Sequence, residues 1–251
     1  MHFSVHRNRP RTTLRSPVCI SVQILFLSIV LANGESAGRA IHRRTRPKTT
    51  IIHYSNTSTV DRLRSPGMWF FVGAIEIVLL FNLSEFLYPG YSVSENYISD
   101  MGVGPMPSRA VFTFAVILFG ILTIIASYLL RERNPKSVIW FFMILSGIGA
   151  IGVGVFNEHS PYRLHSIFSL VAFLFGNLAA VFSYKLVSRP LAYFFSCLGL
   201  LGLTALALFG ADIFLDLGPG GMERLIFYPA VIWGLGLGVY LMTTEERPQR
   251  E

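Results

Sequence analysis

The sequence is poor in charge, and this excludes an ordinary soluble protein. Only 14% of the 251 residues are charged, 52% are hydrophobic, and the mean hydropathy is +0.54. A soluble globular domain has roughly a quarter of its residues charged. The composition therefore predicts a polytopic membrane protein with membrane lipid as its surrounding partner.

Cysteine is also scarce, which excludes a disulfide framework and a thiolate metal centre. The chain has two cysteines, Cys19 and Cys197, and they lie far apart in separate apolar runs. An isolated cysteine in apolar surroundings usually acts as a small hydrophobic side chain. We therefore expect both thiols to be buried.

The net charge of +7 is concentrated near the start of the chain. The basic residues that precede Met68 are Arg7, Arg9, Arg11, Arg15, Arg39, Arg43, Arg44, Arg46, Lys48, Arg62 and Arg64. A basic segment without a hydrophobic core is typical of a tail that lies against anionic lipid. We predict no nucleic-acid partner.

Residues 1–67 differ in composition from the rest of the chain. The apolar run 18–32 follows several arginines, as in a signal peptide that is cleaved near Ala32. If that run directed secretion, the basic residues 39–64 would follow on the outer side, against the positive-inside rule. A translation start at Met68 and a true signal peptide are the two open interpretations. We predict that residues 1–67 lie outside the folded domain, as a basic, disordered N-terminal extension.

Six apolar runs follow this extension. They cover residues 68–88, 109–130, 137–156, 164–187, 191–215 and 225–242. A helical span of the bilayer core needs roughly 20 apolar residues, and proline and glycine residues mark the gaps between the runs. The sequence predicts an all-α bundle of six transmembrane helices over residues 68–243, followed by a short cytoplasmic tail at 244–251.

Basic residues in the short connections predict the orientation of the bundle. One side carries Arg131, Arg133, Lys136, Lys185, Arg189, Arg247 and Arg250, and the other carries Arg109, Arg163 and Arg224. Because the cytoplasmic side is richer in Lys and Arg, both termini of the six-helix domain are expected in the cytoplasm of a cell-membrane protein. The connections 89–108, 157–163 and 216–224 then open on the outer side.

The most sharply bounded of these connections contains Tyr91 to Gly104, YSVSENYISDMGVG, which we call the motif loop. Ser94 can cap a short helix, and Gly102 can end it in the left-handed conformation. In such a helix Asn96, Ser99 and Asp100 share one side, because they are three and four residues apart. We take Ser99 and Asp100 as candidate catalytic residues.

Two histidines lie near the outer connections, and their chemistry suggests a metal site. His159 and His165, with Asp100 or Asp212 as an oxygen ligand, would form a set that suits zinc and leaves a position for water. These four residues are the candidate metal ligands, and both histidines are also candidate catalytic residues. The alternative is structural, with the histidines hydrogen-bonded to Asp100 or to backbone carbonyls so that they hold the outer loops together.

Polar residues inside the predicted spans are a further signal. Glu76, Asn177 and Asp212 fall within apolar runs, where a carboxyl group is costly unless it is paired, protonated or hydrated. Asp212 lies near the outer end of its run and is a candidate member of the outer site. Glu76 is expected to be protonated or to form an interhelical hydrogen bond.

Several segments together resemble one protein family. They are Pro89-Gly90-Tyr91-Ser92, Asn96 to Gly102, Gly154-Val155-Phe156 ahead of His159 and His165, and Glu223-Arg224 ahead of Tyr228-Pro229 and Trp233. Over residues 68 to about 243 this order resembles the domain-of-unknown-function 998 family of archaeal and bacterial membrane proteins. The resemblance implies a six-helix integral membrane protein with the polar motif between its first two helices, and it implies no settled activity.

Three functions fit these observations. The first is a binding or structural protein whose outer connections form a polar cap held by Asn96, Asp100, His159, His165 and Arg224. The second is a zinc-dependent hydrolase or transferase that acts on a lipid at the outer leaflet, with Arg224 binding a phosphate or carboxylate. The third is a small-solute transporter that uses Glu76, Asn177 and Asp212. The candidate ligand-binding residues are Asn96, Asp212 and Arg224.

Overall fold

A computed structural model describes residues 63–245, which lie within one compact unit of the chain. Its helices are α1 Pro66–Phe86, α2 Met106–Arg133, α3 Ile139–Val155, α4 Leu164–Phe182, α5 Leu191–Gly210 and α6 Gly218–Glu245, with short 3₁₀ helices at Ser99–Gly102, Pro161–Arg163 and Ser183–Lys185. Residues 63–245 contain no strand, and the predicted all-α fold is confirmed. The predictions for residues 1–62, including Cys19 and the run 18–32, lie outside the described residues.

The lengths and surfaces of these helices are those of a multi-pass membrane protein. Five of the six helices are long and apolar enough to cross a membrane, and the remaining one, α3, has 17 residues. Their outward faces carry large apolar side chains, such as Leu79 at 63% exposure and Leu200 at 55%. Apolar exposure on this scale is unfavourable in water and favourable against lipid tails.

The helices pack in a ring in chain order, each against the next, and α6 closes the ring against α1. Small residues allow their backbones to approach closely. A Cβ atom at Gly67 would lie 2.6 Å from the carbonyl oxygen of Gly238, and one at Gly147 would lie 2.9 Å from that of Gly120. Helices in lipid associate through such close van der Waals contact, because lipid tails are as apolar as the side chains.

The end of α1 and the start of α6 lie at the same end of the ring, which we call the motif end because the motif loop lies there. Phe81 near the end of α1 stacks on Phe227 of α6 with ring centroids 5.2 Å apart. The hydroxyls of Ser84 on α1 and Ser108 at the start of α2 lie 3.0 Å apart. These contacts join the three helices around the motif loop.

Two helix boundaries correct the sequence prediction. Helix α6 begins at Gly218 and not at Leu225, so Glu223 and Arg224 belong to a helix and not to a connection. The Gly-Pro-Gly-Gly start looks like a break, but the first N–H groups of a helix need no partner within it, so proline is tolerated there. Helix α5 ends at Gly210, so Asp212 lies exposed in the following connection, with a φ of 56°.

Cys197 also differs from its prediction. Its side chain is exposed on α5, because it lies on a lipid-facing side of that helix and not on the side that packs against α4 and α6. The expectation of a buried thiol at this position was wrong. Apolar sequence surroundings do not distinguish a core position from a lipid-facing one in a membrane protein.

Asn177 joins three helices in the centre of the bundle. Its side chain is fully buried on α4, and Nδ2 donates hydrogen bonds to the carbonyl oxygens of Phe173 (2.9 Å) and Ile226 of α6 (3.2 Å). On α5, a Cβ atom at Gly202 would lie 1.9 Å from Asn177 Oδ1. The absence of a side chain at Gly202 therefore makes room for the amide that links α4 to α6.

We expect Gly202→Ala to lower the thermal unfolding midpoint of the purified protein, because the added methyl group collides with Asn177. Overpacking of a helix interface typically costs about 1–3 kcal/mol. Gly234→Ala is the control, since a Cβ atom there meets nothing within 4 Å, and alanine favours a helix over glycine by about 1 kcal/mol. Equal midpoints for the two variants would contradict this account of the interface.

Candidate functional site

Arg224 on α6 is the centre of a hydrogen-bond network at the motif end. Its side chain is 8% exposed, and Nη2 donates to Glu85 Oε1 on α1 (2.5 Å) and to the hydroxyl of Tyr91 (2.9 Å). Nη1 donates to the carbonyl oxygens of Val93 (3.0 Å), Asn96 (3.4 Å) and Gly220 (3.0 Å). The guanidinium thus connects α1, the motif loop and α6, and both terminal nitrogens are engaged by protein acceptors.

Tyr91 transmits this contact into the motif loop. Its hydroxyl accepts from Arg224 and donates to the carbonyl oxygen of Tyr97 at 2.7 Å. Burial raises the pKa of the Tyr91 hydroxyl above its usual range, although the nearby Arg224 lowers it. The hydroxyl therefore keeps its proton and can serve as donor and acceptor at once.

Asn96 and Asp100 fold the motif loop onto itself. Asn96 Nδ2 donates to Asp100 Oδ2 (2.9 Å), which also accepts from the backbone N–H of Tyr97 (3.0 Å). Asn96 Oδ1 accepts from the backbone N–H of Ser92 (3.0 Å). The structure brings Asn96 and Asp100 together, as their spacing predicts. Ser99 does not share their side, because it is buried toward the bundle.

The local conformation of the loop differs from the predicted helical turn. Only Ser99–Gly102 is helical, as a 3₁₀ helix, and among the described glycines only Gly90 and Gly218 have a positive φ. Gly102 therefore does not end a helix in the left-handed conformation. A glycine is needed there for space, because a Cβ atom would lie 2.9 Å from the ring of Phe112.

The loop backbone also lies directly on the first turn of α6. The N–H of Gly220 donates to the carbonyl oxygen of Ser94 at 2.9 Å, and the N–H of Ile98 donates to Glu223 Oε2 at 2.5 Å. A Cβ atom at Gly220 would lie 1.9 Å from the carbonyl oxygen of Asn96. Glycine at this position allows the two backbones to touch, which explains the Gly-rich start of the helix.

A cavity of about 90 Å³ lies behind the motif loop, between α1, α2, α3, α4 and α6. Ile98, Ser99 and Glu223 line it at the motif end, and Met143 and Trp233 line it deeper in the bundle. Glu223 and Trp233 are ten residues apart on α6, so the lining residues span about 15 Å of that helix. Most of the remaining lining is aromatic and aliphatic.

Trp233 has an unusual position in this cavity wall. The side chain is 1% exposed, and its Nε1 has no hydrogen-bond partner within residues 63–245. A buried donor left without a partner typically costs about 1–3 kcal/mol. Buried polar groups in native proteins are nearly always satisfied by protein, ligand or water.

The histidines and Asp212 do not join this network. His165 is buried and its Nδ1 lies 2.8 Å from the carbonyl oxygen of Phe156, while His159 and Asp212 are exposed. In residues 63–245 no group of three His, Cys, Asp or Glu side chains is arranged to hold a metal ion. The structure thus does not assemble the predicted set of His159, His165, Asp100 and Asp212, and the His165 contact fits the structural alternative.

Carboxylates dominate the charge at the motif end. Seven carboxylates and three arginines lie in residues 85–109, 156–165 and 211–224, which form this end of the bundle. Burial raises the pKa of the Tyr97 hydroxyl most, and Glu223, Asp100, Asp212 and Glu158 raise it further, in that order. The carboxylates therefore act together on the motif loop, and the three arginines do not balance their charge.

Glu85, the charged partner of Arg224, was missed by sequence reasoning. It lies in the last turn of α1, within an apolar run where the sequence singles out Glu76. The signal that points to it is a carboxylate at the end of a span, followed within six residues by the tyrosine of the motif loop. Its partner is 139 residues away, so no local pattern indicates the pair.

Comparison with known proteins supports the family resemblance. A family model described as "Protein of unknown function (DUF998)" matches residues 71–240, a range that contains the motif loop and the Glu223-Arg224 pair. No curated protein and no solved structure matches the chain.

We expect Arg224→Met to loosen the motif loop, because it removes five hydrogen bonds and leaves the partly buried Glu85 without its cation. Breaking a buried ion pair from one side typically costs about 3–5 kcal/mol. Hydrogen exchange measured by mass spectrometry should show faster exchange in the peptide that covers residues 91–104. Asp100→Ala should act in the same direction.

The control for this experiment is Arg109→Met, because Arg109 is exposed at the same end of the bundle and its guanidinium contacts the sulfur of Met106, outside the network around Arg224. Its loop should exchange as in the unmodified protein. If Arg224→Met and Asp100→Ala both leave exchange in residues 91–104 unchanged, the network does not hold the loop.

Proposed function

The chain belongs to the DUF998 family, and we propose that it is a membrane-embedded binding protein whose motif loop closes a ligand cavity inside the helix bundle. The observation that carries this proposal is that the motif loop is both a cap and a cavity wall. Ile98 and Ser99 line the cavity, and Glu223, which lines it too, holds the N–H of Ile98. The polar motif is therefore architectural, and the chemistry of binding lies behind it.

The character of the cavity supports an amphiphilic ligand. Ligand sites in proteins are mostly apolar, with a few polar groups that orient the ligand. Here the apolar walls enclose Glu223 and Ser99 at one end and the indole of Trp233 at the other. A cavity of about 90 Å³ also has room for several waters, each of which needs about 10–15 Å³.

The charge distribution supports an orientation for the bundle. The opposite end, in residues 63–65, 131–138 and 183–190, carries six basic residues and one acidic residue. By the positive-inside rule that end faces the cytoplasm, together with both termini of the six-helix domain. The motif loop then lies on the outer side of the cell membrane, and the cavity is capped from outside.

A second candidate function is small-solute transport, and one observation favours it. Both carboxylate oxygens of Glu76, at the middle of α1, are buried and have no hydrogen-bond partner within residues 63–245. Ionisable groups inside spans often mark ion or proton pathways. Flux into liposomes that depends on the protein and is abolished by Glu76→Gln would support transport, and flux unchanged by that variant would speak against this role of Glu76.

The zinc-dependent hydrolase stays a prediction from sequence. Its test is metal analysis of the purified protein and of the variant with both His159→Ala and His165→Ala. Zinc bound in the first sample and lost in the second would support it, whereas protein without zinc in both samples would remove the metal version.

We expect brominated single-chain amphiphiles to quench the fluorescence of Trp233, because bromine quenches an indole on contact. The chain has three tryptophans. Trp69 and Trp140 are first replaced by phenylalanine, so that Trp233 is the one that remains. The protein is held in lipid nanodiscs, and quenching is measured against amphiphile concentration. Saturable quenching is the expected result.

The matched variants are Ala230→Leu and Ala207→Leu. Ala230 lines the cavity, so the larger side chain should fill it and weaken quenching at least several-fold. Ala207 is exposed on α5, which does not line the cavity, so its variant should bind like the parent. Quenching that does not saturate, or that is the same in both variants, would mean that the bromine reaches Trp233 from the surrounding lipid.

A further inference from the structure

Glu223 is a buried carboxylate in the wall of the cavity, and it forms no ion pair within residues 63–245. Its side chain belongs to a residue that is 6% exposed, and Oε2 accepts the N–H of Ile98. Within residues 63–245 the one ion pair is that between Arg224 and Glu85. An ionised carboxylate at membrane depth is costly unless a cation or several donors compensate it.

Arg224, the next residue, acts on Glu223 only through space, because its hydrogen bonds go to other groups. Neighbours on a helix point about 100° apart, because a turn has 3.6 residues. Glu223 lines the cavity, whereas Arg224 bonds to Glu85, Tyr91 and the loop carbonyls. Its terminal nitrogens Nη1 and Nη2 are already engaged by these protein acceptors.

The charges around the mouth of the cavity also favour a cation over an anion. The motif end carries seven carboxylates against three arginines, and Asp100, Asp212 and Glu158 act with Glu223 on Tyr97 of the loop. An anionic head group would add a further negative charge to this field. A cationic head group would be attracted to the mouth and could pair with Glu223 inside.

The shape of the cavity defines the remainder of the ligand. From Glu223 the walls continue through Phe227 and Val231 to Trp233, an apolar path of about 15 Å along α6. Such a path suits one alkyl chain. Ser99 lines the same end as Glu223, so its hydroxyl can accept a second hydrogen bond from a head group with several donors.

We propose that the cavity binds a single-chain amphiphile with a primary ammonium head group, whose nitrogen donates to Glu223 and Ser99 while its chain extends toward Trp233. This inference rests on the proposed binding function and adds the class of ligand. The positively charged head group distinguishes this ligand from an anionic lipid, a fatty acid or a neutral alcohol.

The experiment compares three brominated probes with the same chain, an alkyl amine, an alkyl alcohol and an alkyl carboxylate, in the variant that keeps Trp233 as its only tryptophan. Nanodiscs of zwitterionic lipid limit unequal partitioning of the probes, and the Ala230→Leu variant gives the background quenching. We expect the amine to bind roughly tenfold or more tightly than the other two probes, which corresponds to about 1.4 kcal/mol.

Glu223→Gln then tests the residue itself. The amide oxygen of glutamine can still accept the N–H of Ile98, so the loop contact is kept while the charge is removed. We expect this variant to bind the amine no more tightly than the alcohol. Ser99→Ala should weaken amine binding several-fold, and Glu95→Gln, which changes an exposed carboxylate of the same loop, should leave the preference intact.

The outcomes separate the two proposals. Saturable binding of all three probes with equal affinity would overturn the ammonium preference and leave the binding function standing. An amine preference that survives Glu223→Gln would overturn the assignment to Glu223. Failure of every probe to quench Trp233 above background would overturn the binding function and this inference with it. The three probes are compared on protein in which Glu223 is unchanged. That comparison therefore decides whether the amine is preferred, even if Glu223→Gln does not fold.

Discussion

The ion pair between the buried Arg224 and the partly buried Glu85 is the constraint on which the motif end depends. A guanidinium cannot leave the protein interior for lipid, and it cannot be left without acceptors where water is scarce. Here the acceptors come from α1, from the motif loop and from α6 itself. The loop is therefore held by the requirement to satisfy one charge, and its own turn, closed by Asn96 and Asp100, presents the carbonyl oxygens that do so.

Two adjacent residues of α6 divide the tasks at this end of the bundle. Arg224 faces the loop and organises it, while Glu223 lines the cavity and accepts the N–H of Ile98. Because the loop contributes Ile98 and Ser99 to the cavity wall, any movement of the loop changes the cavity. Closure of the bundle and the shape of the proposed binding site are thus properties of the same contacts.

Glycine has an equally direct role, because it allows backbones to meet where no side chain fits. Gly220 lies against the carbonyl oxygen of Asn96, and Gly202 lies against the side-chain amide of Asn177. In both places the glycine brings a polar group close to a neighbouring helix inside an apolar bundle. Interhelical packing in lipid relies on such contacts, since apolar burial supplies little driving force there.

Much of the architecture follows from local rules that can be read along the chain. Apolar runs of the length that a bilayer requires, separated by proline and glycine, define six helices, and the polar residues of the motif loop stand out in so apolar a chain. Asn96, Asp100 and Arg224 were recognised on that basis. Their partners were not, because the pairing of Arg224 with Glu85 joins residues 139 apart and depends on α1 and α6 closing the ring. The positions of Ser99 and Glu223 in the cavity wall could not be predicted either, because they depend on the packing of five helices. Nor could the contact of His165 with Phe156 in place of Asp100. Helix formation is set by the short-range periodicity and hydrophobicity of the sequence, whereas the site is set by distances between helices, to which no short stretch of sequence is sensitive.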